Sequence, residues 1–152
     1  MKIAAHIEKW ERFDRFRSRF DPIEDFELWY WSMMSGGTAI INAALHASGQ
    51  TNANELFATQ IPDVYAVVDG PGRWHHEIGV RCDLIHVGLP VIDIDPGSAL
   101  VKAYEAMHEL ERYRDPYVRG EGIVTAEVVA GCDSSYGEIV KAARAAIAEG
   151  PR

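Results

Sequence analysis

No Asp, Glu, Lys or Arg occurs between Glu27 and Glu55, and a stretch that long without a charge has to be hidden from water over most of its surface. A membrane span of about 20 apolar residues would hide it, and so would a helix at the centre of a water-soluble bundle. The stretch carries Ser32, Ser35, Thr38, Asn42, His46 and Ser48 besides Gly36 and Gly37, and polar groups in hydrocarbon are costly without partners. The buried helix accounts for these residues better, so no membrane association is expected. Phe26, Tyr30, Met33, Gly37, Ile40, Ala44 and Ala47 follow the 4-3 alternation of one helical face. Asp21-Pro22-Ile23-Glu24 supplies an N-cap, a first-turn proline and a returning glutamate, and Gly49 suits the C′ position that ends a helix.

Around this spine the chain reads as further helices. Trp10, Phe13, Phe16 and Phe20 recur at nearly helical spacing over residues 3 to 20, with Arg12, Arg15 and Arg19 on another face. Residues 50 to 72 read as a long loop around the turn Asp69-Gly70-Pro71-Gly72, with extended structure at Val64 to Val68 as an option. A third helix is predicted from Arg73 to Val87. A fourth opens at Asp95-Pro96, carries Leu100, Ala103, Tyr104, Met107 and Leu110 on one face, and closes at Asp115-Pro116. Thr125 begins a fifth that runs to Gly150. Val91 to Asp95 and Ile123 to Thr125 have strand-like composition, which leaves a small α+β domain as the alternative. The predicted class is all-α: an antiparallel up-and-down bundle of four main helices plus one, forming a single domain over residues 1–152.

The chemistry open to such a chain is bounded by what it lacks. Its 15 bases against 23 acids give a net charge of −8, which repels polyanions except where bases cluster. Two cysteines, Cys82 and Cys132, form no CxxC pair, so a reduced, cytoplasmic chain is expected and zinc ribbons are not. GxxxxGK[ST], GxSxG and dinucleotide glycine fingerprints are missing, so no dinucleotide or other cofactor is expected. Bases and rings interleave in Arg112-Tyr113-Arg114-Asp115-Pro116-Tyr117-Val118-Arg119. There Arg112, Arg114, Tyr117 and Arg119 could clasp phosphates and stack on bases, or contact a protein partner.

Arg81-Cys82-Asp83-Leu84-Ile85-His86 has the form R-x4-H and precedes a newly capped helix. Here the chain resembles the HEPN superfamily of compact helical-bundle domains, in which such a motif sits late in the bundle. Active members cleave RNA without metal. The resemblance implies that Arg81 holds the scissile phosphate and His86 moves a proton of the ribose hydroxyl or the leaving oxygen. Family members carry a polar residue after the arginine, where this chain has Cys82.

Two other functions fit the same residues. On a third helix, His75, Gly79, Cys82 and His86 would fall at i, i+4, i+7 and i+11, one face able to hold zinc with a further ligand from another helix, such as His46 or His108. The chain could instead be a non-catalytic homodimeric module that binds a protein or ligand. Trp10, Trp29, Tyr30, Trp31, Met33 and Met34 offer more large apolar surface than one thin bundle should hide, which is why a homodimer is expected.

Overall fold

The structure, a computed structural model, describes residues 1–53, 57–58, 64–78, 83–84, 94 and 96–151. The chain is mostly helical. Helices α1 (Ile3–Arg17), α2 (Phe26–Ala47), α3 (Ala99–Glu111) and α4 (Ala126–Glu149) are joined by a small antiparallel sheet of β1 (Phe57–Ala58), β2 (Val64–Val68) and β3 (Trp74–Ile78) in the order β1-β2-β3, and by a π-helical turn at Asp115–Arg119.

The uncharged stretch is the spine. Tyr30, Met33, Ile40, Ile41 and Leu45 of α2 are essentially sealed from solvent, and burying each such side chain contributes about 1.5–3 kcal/mol. Helices α1, α3 and α4 all pack against α2. Its buried polar side chains find partners inside the protein: the Ser32 hydroxyl donates to the Leu28 carbonyl, the Asn42 amide donates to the Thr38 carbonyl, and Tyr30 donates to the Leu110 carbonyl. No described helix is long and apolar enough to cross a membrane.

Local signals position the helix ends. Asp21 Oδ1 accepts from the N–H groups of Ile23 and Glu24, but this cap closes a turn over residues 22–25, and α2 itself starts at Phe26. The other end is a Schellman motif: Gly49, at φ +75°, donates to His46, and Gln50 donates to Leu45. The cap of α3 is Ser98, whose hydroxyl accepts from Leu100 N–H, three residues beyond the predicted Asp95. The predicted face of Leu100, Ala103, Tyr104, Met107 and Leu110 is the buried one. Thr125 caps α4 through Val128 N–H, and the helix runs up to Gly150 as expected.

The structure corrects one expectation. Residues 74–78 are not the start of a third helix. Asp69-Gly70-Pro71-Gly72 turns β2 into β3, with Asp69 bonded to Arg73 through both backbone and side chain, and Val68 pairs with Trp74 in an antiparallel ladder. On a strand His75 and His76 point to opposite faces, so the helical face proposed for zinc does not form over these residues. Of Trp10, Trp29, Tyr30, Trp31, Met33 and Met34, four are buried. Trp29, Tyr30, Met33 and Met34 lie in the chain's own core, and of that set Trp31, at 36%, is the one counted as exposed. The extended option at Val64 to Val68 is β2; positions 61–63, 91–93 and 95 lie outside the described residues.

Candidate metal centre

Three groups far apart in the chain meet at one point. His6 belongs to the first turns of α1, where its N–H donates to the Lys2 carbonyl. It continues the inward face of Trp10 and Phe13 back by one turn. His46 stands in the last turn of α2. The Schellman reversal after it carries Thr51 back alongside, so Thr51 Oγ1 sits 2.5 Å from His46 Nδ1. Asp83 completes the set: its Oδ1 lies 3.0 Å from His6 Nε2 and 2.8 Å from His46 Nε2. The two imidazole rings are 5.2 Å apart between centroids.

Both histidines are buried, and the Asp83 side chain is 21% exposed. Burial raises the pKa of the Asp83 carboxyl, but hydrogen bonds from His46, from His6 and from the Met1 ammonium outweigh it and hold the group well below the usual carboxylate range. The Met1 nitrogen is 2.8 Å from Oδ1 and 2.9 Å from Oδ2. Asp83 is therefore an anion to which His6, His46 and the Met1 ammonium, its hydrogen-bond partners among the described residues, each present a positive or donor group.

One ligand atom from each of His6, His46 and Asp83 lies within 4.8 Å of the other two. Two imidazole nitrogens and a carboxylate oxygen suit zinc and neighbouring divalent transition metals. To bind a metal, His46 would give up its Nε2 proton and keep one on Nδ1 for Thr51 Oγ1, the outer-sphere arrangement common to metal-binding histidines. Among the described residues, His6 Nδ1 is buried without a hydrogen-bond partner.

Of the residues singled out from sequence, those described lie apart from one another. Arg81, Cys82 and His86 lie outside the described residues, although Asp83, within the same motif, turns toward His6 and His46. His75 is on the exposed hairpin, 3.1 Å from Glu77, and His108 faces Glu111 at 3.9 Å on the surface of α3. Arg112 pairs with Glu109, while Arg114 and Arg119 both pair with Asp115 across the π-helical turn. Tyr117 packs edge-on against Phe26.

Sequence reasoning named His46 as a ligand candidate and placed Asp83 beside one. It missed His6 and Thr51. The signal for His6 was its place one turn before Trp10 on the apolar face; Thr51 carried none. No family model, curated protein or solved structure matches the chain.

Proposed function

We propose that this chain is a divalent-metal-binding helical protein in which His6, His46 and Asp83 hold one zinc-class ion. The observation that carries the reading is the convergence of both Nε2 atoms on one Asp83 oxygen, with ligands drawn from α1, α2 and the segment at 83–84. Three protein ligands among the described residues, with Asp83 reached by solvent, favour a site that keeps a coordination position for water or substrate over a closed structural site. A metal there would lower the pKa of bound water and polarise a substrate oxygen. The frame around it is an up-and-down arrangement of the four helices, in keeping with the start of α1 lying beside the end of α2.

Metal analysis and calorimetric zinc titration test this. One equivalent per chain is expected, falling below about 0.1 equivalent in His6→Ala, His46→Ala and Asp83→Asn variants whose circular dichroism is unchanged. Wild-type protein that takes up less than about 0.1 equivalent refutes the site. RNA cleavage that persists in EDTA and requires Arg81 and His86 would instead support the activity implied by the HEPN resemblance.

A further inference from the structure

Half of the large apolar side chains exposed among the described residues, Phe16, Ile23, Leu28 and Trp31, fall between positions 16 and 31, around the turn from α1 to α2. Apolar residues exposed singly are ordinary, whereas a contiguous group marks an interaction surface. We propose that this face, the outer side of α1 beside the first turns of α2, pairs with a second copy of the chain about a two-fold axis, Arg19 of each copy lying against the partner's Glu27.

Contacts within the fold put these residues on one face. Helices α1 and α2 run antiparallel: a Cβ built at Gly36 would stand 3.5 Å from Phe13 Cβ, and the Arg17 guanidinium lies 5.9 Å over the Trp29 ring. Phe16 is therefore level with the turn that holds Trp31, and Arg19 with the first turn of α2. Helix α4 fills one flank of this pair, where Tyr136 lies beside Gly36 and Arg17 reaches Asp133. On the rest of α1, Arg12, Phe16 and Arg19 recur at i, i+4 and i+7 as an exposed stripe. On α2, Glu27, Leu28 and Trp31 are exposed while Trp29 and Tyr30 turn into the core.

Charge selects the occupant. Arg12 and Arg19 on α1, and Glu24 and Glu27 at the start of α2, are exposed and form no ion pair among the described residues. A polyanion drawn to the arginines would also meet those carboxylates, on a chain of net charge −8. A second copy meets neither obstacle. Rotation by 180° about an axis parallel to the helix pair lays each basic α1 on the acidic start of the other copy's α2, twice over. Such a rotation preserves height along the axis, so Arg19 meets the partner's Glu27 and Phe16 meets the partner's Trp31.

Size sets the strength. Two helices about 10 Å apart, over the roughly 20 Å length of α1, present about 400 Å². That is near half of the about 800 Å² per partner in a standard interface. The dimer is accordingly weak, with a dissociation constant of about 1–100 μM.

Sedimentation equilibrium in EDTA, which keeps metal from bridging chains, tests this between about 1 and 300 μM protein. Wild type should dimerise. Arg19→Glu and Glu27→Arg should each weaken self-association by about tenfold or more, because like charges then face each other. An equimolar mixture of those two variants should form a heterodimer within about threefold of the wild-type constant, since both contacts are again between opposite charges. Leu28→Asp should stay monomeric. All three positions are exposed, so the variants should keep the wild-type circular dichroism. A wild type still monomeric at about 300 μM, a dimer indifferent to both charge reversals or to Leu28→Asp, or a mixture no tighter than its components would overturn the proposal.

Discussion

The side chain of Asn42 pairs with the backbone of Leu84 as a neighbouring strand would: its Nδ2 donates to the Leu84 carbonyl at 2.7 Å, and its Oδ1 accepts the Leu84 N–H at 2.7 Å. One amide in the middle of the spine thereby captures both polar groups of a residue 42 positions away. Asp83 is the preceding residue, so the same pair of bonds sets where its carboxylate meets the two imidazoles.

Replacing Asn42 with leucine is therefore expected to do two things at once. Two buried backbone groups lose their partners, which costs about 2–4 kcal/mol in a urea melt. Zinc affinity should fall at least tenfold by calorimetry, because Asp83 loses its anchor. A variant that melts early but binds zinc as tightly as wild type would separate Leu84 from the site.

Thr51 would act on a bound metal only through His46. Thr51→Val keeps the shape and removes the oxygen 2.5 Å from Nδ1, so zinc binding should weaken by roughly 10–100-fold. Thr51→Ser, which restores the oxygen, should recover most of it. Equal losses in both variants would mean that packing, not the hydrogen bond, is what matters there.

Gly36 lies beneath Tyr136. A Cβ at position 36 would stand 2.7 Å from the Tyr136 hydroxyl but 3.5 Å from the ring carbon bearing it, so the conflict is with the oxygen alone. Gly36→Ala should destabilise by about 1–2 kcal/mol from overpacking, although alanine is the better helix former. Tyr136→Phe alone should destabilise by about 0.5–1.5 kcal/mol, since its hydroxyl is hydrogen-bonded with Trp10 and Asp14. The double variant should cost less than the two losses added, a coupling that a thermodynamic cycle reads directly.

Cys132 is sealed in the core, and burial, with the neighbouring Asp133 charge, pushes its thiol up to about 12. At pH 8 only about one thiol in ten thousand would be ionised, and the thiolate is the reactive form. Iodoacetamide should therefore label the Cys132 peptide at least about 100-fold more slowly in native protein than in urea, as followed by mass spectrometry. Comparable rates would show that α4 opens readily.

What could be read from the chain alone follows from how local each cause is. The charge-free run declared α2, because a stretch that long has only a buried helix to join in water. Gly49, Thr125 and the Leu100 to Leu110 face were legible for the same reason: cap and stripe are written within a few residues. Trp74 to Ile78 misled because His75, Gly79, Cys82 and His86 happen to fit helical spacing, while the period-2 signal of a five-residue strand is short. The turn at Asp69 to Gly72 was recognised, but not the strand that it starts. The site was the least legible part. His6 lies 77 residues from Asp83 and His46 lies 37 from it, and no spacing rule spans such distances.

Those separations carry a consequence for assembly. A chain whose three coordinating groups are strung so far apart offers an ion nothing to grip until the first helix, the spine and the residues at 83–84 have come together. Any cation captured there binds the finished architecture and not the coil, so its binding free energy is added to folding, about 2.7 kcal/mol at a hundredfold excess over the dissociation constant. The clasp would tie the beginning of the molecule to its middle, closing a loop that the backbone leaves open.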